Sequence, residues 1–515
     1  MAYLKTKNYQ TFSIVNEEGL VLSEFEGAAL ADRALPGDKM EDGKLLERAE
    51  HPPLIGVLEL NSKVRYGFTA RGHPLYLFKP YDESYPPMLV GSTDTNRENQ
   101  IWTSAFESWP ADSTFPKGGL VKYIGSCGDK EAELSAIAYQ ASPWSWTNAR
   151  LPKQLIMPER QGRFVLNKPT INIDPQGCRD IDDLISLWEE DGIWNLAISI
   201  ADVAAFVALN PELRFAERIG QTLYSEGYAI RPMFPHKFSE GVFSLLPGEE
   251  RFTVTLFAKW DPVDCMLFDF QFKECIVTNW ASYTYENCYS CTELNMGVLK
   301  NICSCIGEDS QDSHKWIESL MILYNCQAAA VLKEKRAGLL RTHGAPEKEQ
   351  LIKMECLGLP AKQLAYPAAI YATTQEDTGH WGLATSGPRM QGMQKLCYCH
   401  ASSPIRRYAD ILNQEVLKGV LRDGYKKYVV ALNVLDKKAK AYERDRNFIE
   451  CILGGRPQPI EGVVVDSKRI YIVPWKHMIK SDHGFAEGER VWVGFFPNPA
   501  GRSWKRRVVY RIEKI

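Results

Sequence analysis

Residues 170–188, TINIDPQGCRDIDDLISLW, put four aspartates within ten positions: Asp174, Asp180, Asp182 and Asp183. They stand between an apolar strand-like run (Thr170 to Ile173) and a second apolar segment (Leu184 to Trp188). Flanks of that kind leave water on folding, so any fold of this chain must anchor the acids to a core on both sides. Only Arg179 nearby carries the opposite charge. Crowding carboxylates this closely costs energy through like-charge repulsion unless protons or divalent cations compensate. From the residues alone three readings stay open: a two-metal phosphoryl-transfer site, a calcium loop, or an acidic surface turn. The calcium loop fits least, because the D-x-D-x-D-G spacing and the distal Glu are missing. Hard oxygen donors in this number suit Mg²⁺ held against a substrate phosphate.

A chain of 515 residues exceeds what one hydrophobic core serves, so several domains are expected. Its hydrophobic content of 45% and aromatic content of 11% fit a packed protein and exclude a disordered one. A net charge of −3 excludes a uniformly basic surface, so any nucleic-acid partner must meet local positive charge. One local source is residues 501–515, with six Lys or Arg against a single Glu, although a plain solvated face explains them equally simply. The thirteen cysteines lack regular spacing, and the polar start MAYLKTKNYQ has no secretory pattern, which points to reduced thiols in a cytoplasmic setting. Cys288, Cys291, Cys303 and Cys305 form a C-x2-C and a C-x-C pair; the second spacing is unusual for zinc, and buried thiols are the expectation. No apolar run is long enough to span a membrane: Leu196 to Leu209 is the longest, and it contains Asp202.

The periodicity changes along the chain. Residues 1 to about 150 read as short strands broken by Gly, Pro and Asn, for example GVLEL (56–60), PLYLF (74–78) and GLVKYIG (119–125), with no long helical pattern. Two small β-barrels of the OB type are the economical architecture. Trp102, Trp109, Trp144 and Trp146 have the shape to stack on bases, but a barrel core is the commoner place for such rings. From about 151 to 455 strands near 170–173, 195–201 and 252–260 alternate with helical stretches, the clearest being 317–336 and 426–450. After the break GGRPQP (454–459) four strand-like segments return and predict a closing barrel.

A second constellation is CHASSPIRRYADILN, residues 399–413. Ser402 and Ser403 lead into Pro404, which predicts the first turn of a helix. Arg406, Arg407 and Tyr408 then offer two guanidinium forks and an aromatic ring, with helix N-terminal donors behind them, a combination suited to phosphate. An ion-paired helix start, with Asp410 neutralising one arginine, accounts for the same residues. A third stretch, 220–251, carries Tyr224 between Pro-bearing turns and reads as the wall of a groove.

These stretches together resemble the ribonuclease II (RNB) exoribonucleases. The family pattern T-I-D-x-x-x-A-R-D-I-D-D-A-L is matched by Asn172-Ile173-Asp174 and Cys178-Arg179-Asp180-Ile181-Asp182-Asp183-Leu184. The pattern H-F-T-S-P-I-R-R-Y-A-D-L-L is matched by His400 and by Ser403 to Leu412. ISIADVAAFV (198–207), RPMFP (231–235), SLLPGEER (244–251), LLRTHGAP (339–346) and GHWGLA (379–384) have counterparts in the same order. The sequence departs at Ala401-Ser402, where the family has Phe-Thr. It departs again at Asn413-Gln414-Glu415, where the family has Val-His-Arg, and in a turn one residue longer between Tyr224 and Pro232.

The resemblance implies a multidomain protein: an α+β catalytic domain of the RNB type flanked by small OB-fold β-barrels. The expected divisions are two cold-shock-like domains (1–80 and 81–155), the catalytic domain (156–455) and a last OB domain (456–515). It implies a Mg²⁺-dependent (or Mn²⁺-dependent) 3′-to-5′ exoribonuclease that takes single-stranded RNA, as a monomer, and releases nucleoside 5′-monophosphates. Asp174, Asp180, Asp182 and Asp183 are then the metal ligands. Asp182 also orients the attacking water, and Arg406 neutralises transition-state charge. Ser403, Arg406, Arg407 and Tyr408 line the RNA backbone channel, and Tyr224, by its place after GQTL, resembles the family's aromatic clamp on a terminal base. The competing readings are an inactive RNA-binding protein on the same scaffold and a DNA exonuclease with the same metal logic. Inactive relatives usually lose at least one metal carboxylate, whereas all four are present here.

Overall fold

The computed structural model describes residues 1–146, 151–375, 397–455, 459–498 and 501–515. The chain divides into two compact units, one of Met1–Trp144, Ile352–Leu364 and Lys437–Ile515, the other of Ser145–Leu351 and Ala365–Asp436. The four consecutive domains read from the sequence are therefore not consecutive as packed bodies. The helix Tyr425–Leu453 begins in the second unit and ends in the first.

Three small sheets build the first unit. Ala2–Thr6, Thr11–Asn16, Val21–Glu26, Lys39–Glu41 and Lys44–Glu47 form a five-stranded sheet. Its alternation buries Leu4, Phe12 and Met40 around Tyr9 and Leu35. A closed barrel follows, made of Leu54–Leu58, Leu75–Pro80, Met88–Gly91, Gln100–Ser108 and Lys117–Ser126. The expected division at residue 80 thus falls at the end of a barrel strand, because PLYLF pairs backward with Leu54–Leu58 as well as forward. Closure needs Gly56, where a Cβ would lie 2.4 Å from the Lys79 carbonyl oxygen.

A helix over Lys130–Ala141 was not legible in the pattern. Its apolar residues are mostly alanine, which form no strong stripe. The usable signal is Asp129, which caps the helix by accepting from the Ala132 N–H at 2.8 Å, followed by Glu131 and Glu133 in the first turn. Trp102 and Trp109 pack on Tyr123 and Tyr9 and donate their indole N–H groups within the unit, as core residues do.

Ile460–Asp466, Arg469–Ile472, His477–Lys480, Arg490–Pro497 and Val508–Lys514 form the third sheet. Phe448, near the end of the long helix, packs on Trp475, Phe495 and Trp504 and stacks on His477 at 4.0 Å. The basic tail is neither a free patch nor a plain solvated face. Lys505 pairs with Asp445, Arg506 with Glu83, Arg511 with Glu513 and Lys514 with Glu489, while Arg507 is buried against Glu133 and Tyr81. Burial, with Lys505 and Arg444 adding repulsion, pushes the His477 imidazole down to about 4. The unfolded chain, with its ordinary value near 6.5, therefore binds the proton first as pH falls. The contribution of His477 to the stability of this unit should therefore be flat above about pH 6.5 and turn unfavourable between there and pH 4. His477→Gln should flatten that limb in thermal melts, and an unchanged slope would refute the assignment.

The second unit holds a seven-stranded mixed sheet in the order Phe164–Leu166, Met266–Thr278, Glu250–Asp261, Ile193–Ala201, Asp183–Glu190, Thr170–Asp174, Ala281–Thr284. The helix Ser313–Lys335 lies on it, with Tyr324 fully buried and its hydroxyl donating to the Val254 carbonyl at 3.0 Å. Asp202 of the ISIADVAAFV stretch, 1% exposed, caps the helix Val203–Leu209 and pairs with Arg163 (2.7 Å) and Lys418 (2.8 Å). Leu339–Thr342, from the LLRTHGAP stretch, pairs with Ile370–Thr373. GHWGLA lies outside the described residues. Among the described residues no helix is long and apolar enough to cross a membrane.

Candidate active site

Asp174 ends one sheet strand and Asp183 begins its antiparallel neighbour, so the connection between them carries Asp180 and Asp182 at the ends of two interior strands. The turn needs Gly177 at φ 83°, with the Cys178 N–H donating to the Pro175 carbonyl. Ser244, from the SLLPGEER stretch, pins the connection by accepting from the Ile181 N–H (3.0 Å) and donating to the Arg179 carbonyl (2.7 Å).

Each acid has its own surroundings. Asp182 is 5% exposed and accepts from the Ile405 N–H (3.0 Å) and from Arg406 Nε (3.3 Å). Burial pushes its carboxyl up to about 7, with Arg406 pulling the other way. Burial and the charges of Asp174 and Asp182 hold Asp183 well above the usual carboxylate range. Asp174 is raised by burial, and it accepts from Asn172 Nδ2 at 2.9 Å. Asp180 accepts from the Tyr224 hydroxyl, and its other oxygen is 3.8 Å from Cys178 Sγ. Burial and the Asp180 charge push the Tyr224 phenol far up, so the hydroxyl stays a donor.

The second signature meets the first across one cavity of about 650 Å³, which is lined by all four aspartates, Tyr224, Ser403, Arg406 and Arg407. The two arginines are not equivalent. Arg407 is held by Asp410 through both Nε (2.9 Å) and Nη2 (2.8 Å), with a side chain 19% exposed. Arg406, 44% exposed, touches Asp182 and the Ser403 hydroxyl and keeps guanidinium surface toward the cavity. The ion-paired reading thus describes Arg407, whereas Arg406 keeps the more exposed guanidinium on the cavity.

Two expectations need correction. The helix starts at Tyr408, not Pro404, because the preceding residues run antiparallel beside 220–222: Thr222 N–H donates to the Arg406 carbonyl and Tyr408 N–H to the Gly220 carbonyl. The N–H groups of Ile405, Arg406, Arg407 and Tyr408 all donate within the protein, that of Ile405 to the Asp182 carboxylate, so none of the four is left for a phosphate. Tyr408 is 0% exposed and sits in the core, not in the channel wall. The Asn413-Gln414-Glu415 departure is accommodated internally. Asn413 holds Leu339 and the His400 carbonyl, Gln414 bridges Ala204 N–H and the Ala201 carbonyl, and Glu415 pairs with Arg422.

Sequence reasoning missed Tyr285, His314, Glu318, Asn325 and Tyr398, which also line the cavity. Tyr285 and His314 stack at 3.7 Å with planes 21° apart, a flat aromatic surface beside the acids. Their available signals were an aromatic just past the strand Ala281–Thr284 and a histidine after the helix cap Asp312.

A cation site is the remaining question. Among the described residues no three His, Cys, Asp or Glu side chains stand as a ready ligand group. The donor chemistry still fits a hard divalent ion, since four carboxylates line one cavity and burial makes the charges of Asp174, Asp182 and Asp183 costly without a counter-ion. The Cys288–Cys305 set does not form such a group: Cys288, Cys291 and Cys303 donate to Tyr285, Glu293 and Trp316 respectively, and none of the thirteen cysteines is in a disulfide.

The RNB domain sequence model matches residues 165–298 and 291–423, and the Dis3-like cold-shock domain 2 (CSD2) model matches 75–142. The chain belongs to the RNB domain family. It is 30% identical over 221 residues to uncharacterized ribonuclease C609.01 of Schizosaccharomyces pombe, covering 39% of this chain and 19% of that protein. It is 23% identical over 462 residues to human exosome complex exonuclease RRP44, covering 71% and 47%. The chain thus spans less than two thirds of the length of these curated relatives. Mycoplasma genitalium RNase R in complex with double-stranded RNA superposes with TM-score 0.65 at 16% identity, covering 95% of this chain and all of that one. The yeast pseudonuclease Ssd1 superposes with TM-score 0.61 at 13% identity, covering 95% and 80%.

Proposed function

We propose that the chain hydrolyses single-stranded RNA from its 3′ end, releasing nucleoside 5′-monophosphates, as a monomer using Mg²⁺ or Mn²⁺. One observation carries this reading: the four aspartates and Arg406 line a single cavity, with Asp182 joined to both signature segments. Asp174, Asp180, Asp182 and Asp183 would hold the cation, which when bound acidifies water and offsets charge on phosphate oxygens. The chain's own groups do the rest. Arg406 presents its guanidinium to the scissile phosphate, where charge builds as the bond breaks. Arg407, fixed by Asp410, shapes the wall, and the rings of Tyr224, Tyr285 and His314 offer faces on which terminal bases stack.

Arg406→Ala should therefore slow single-turnover cleavage by roughly a hundred- to a thousandfold. An unchanged rate would remove Arg406 from the chemistry.

The pseudonuclease Ssd1 shares this fold, so a silent RNA-binding protein is the second reading. The deciding experiment incubates 5′-labelled single-stranded RNA with the purified chain, with and without Mg²⁺, and resolves it on a gel. A Mg²⁺-dependent ladder shrinking to a short product supports the nuclease. RNA that is shifted but intact under both conditions supports the silent binder. A deoxy-oligonucleotide of the same sequence tests whether the 2′-OH is read, and equal cleavage of both would favour a DNA-tolerant exonuclease.

A further inference from the structure

Asp174 and Asp182 have their hydrogen-bond partners inside the two signature segments, Asn172 in one case and Ile405 with Arg406 in the other. Asp180 is different. The donor to its Oδ2 is the Tyr224 hydroxyl, from a separate hairpin made of Leu223–Ser225 and Tyr228–Arg231. That hairpin is placed by several ties. Thr222 N–H donates to the Arg406 carbonyl at 2.9 Å, Gly220 accepts from Tyr408 N–H at 2.8 Å, Met233 N–H donates to the Thr222 hydroxyl at 2.9 Å, and Leu223 is buried. The backbone that sets Arg406 therefore also sets the phenol that reaches Asp180. The Tyr224 ring itself lines the cavity.

We propose that the Tyr224 hydroxyl is a positioning group that fixes the Asp180 carboxylate for cation binding, a role separate from the base stacking already assigned to its ring. This inference rests on the exoribonuclease reading. A carboxylate with one oxygen held by a fixed donor cannot rotate freely, and the other oxygen of Asp180 lies 3.8 Å from Cys178 Sγ, so the hydroxyl fixes the plane in which the group meets a cation. Partners of this kind behind metal ligands typically change metal affinity by about 10- to 100-fold when removed. Hydroxyl and ring make separable contributions, so the two roles predict different variants.

The test compares the full chain with Tyr224→Phe, which keeps the ring and loses the hydroxyl, and Tyr224→Leu, which loses both. Mn²⁺ binding to RNA-free protein is followed by electron paramagnetic resonance, and RNA affinity by fluorescence anisotropy in EDTA. The Mg²⁺ dependence of single-turnover cleavage is measured alongside. Tyr224→Phe should weaken Mn²⁺ binding by about 10- to 100-fold, hold RNA as the parent does, and recover cleavage at saturating Mg²⁺. Tyr224→Leu should weaken both ligands. Parent-like Mn²⁺ binding by Tyr224→Phe would overturn the positioning role. So would a loss of RNA affinity in Tyr224→Phe equal to that in Tyr224→Leu, because the hydroxyl would then serve RNA. If the parent chain neither binds Mn²⁺ nor cleaves, the exoribonuclease reading falls with it; if the parent does both and Tyr224→Phe matches it, only the positioning role falls.

Discussion

Asp182→Asn is expected to leave single-stranded RNA bound while cleavage falls by roughly a thousandfold or more. The substitution keeps the shape and removes one formal charge. The amide put in place of the carboxylate still offers an oxygen to the Ile405 N–H, so the link between the two signature segments survives on that side. What is lost is the negative oxygen beside Arg406 and one of the four acids facing the cavity. Because Asp182 is 5% exposed, a polar residue of equal size is the least disturbing change there. Gel-shift affinity and single-turnover rate on one labelled RNA separate the outcomes. A variant that still cleaves within tenfold of the parent would defeat the active-site assignment.

Asp202→Ala should be the most damaging change away from the cavity. Asp202 is buried, caps the helix Val203–Leu209, and neutralises Arg163 and Lys418. Glu274 approaches the same two cations at 3.0 and 3.3 Å and stays behind as a partial counter-charge. Breaking a buried pair on one side costs about 3–5 kcal/mol, and the remaining glutamate favours the lower end. The urea midpoint of the second unit should drop accordingly with little change in slope. A loss under about 1 kcal/mol would show that Glu274 replaces Asp202 outright, since exposed ion pairs contribute about that much.

Much of the site was legible because its chemistry is written in charge and order. The aspartates had to be pinned between apolar flanks, and the sheet does pin them, with Asp174 closing one strand and Asp183 opening the next. The pairing of the two signatures was an expectation that the shared cavity now supports with particular bonds. Burial was harder to read. Tyr408 follows two arginines and looks like part of their channel, but the extended pairing with residues 220–222 turns it into the core. Nothing local in RRYAD states that pairing. Tyr285 and His314 are far apart in the chain and meet only because a helix folds back over the sheet edge. The Lys130–Ala141 helix hid behind alanine, which stabilises helices without marking a face.

The first unit is assembled from segments far apart in the chain: Met1–Trp144, Ile352–Leu364 and Lys437–Ile515. During translation the five-stranded sheet and the closed barrel of residues 1–144 leave the ribosome well before the segment from Lys437 onward exists. Glu133, buried against Arg507 in the folded protein, has its charge matched only once Arg507 has been made. Nascent chains should therefore stay protease-sensitive over residues 1–144 until the segment 437–515 has emerged. A truncation just before Arg507 should unsettle residues 1–144 as much as the segment it shortens.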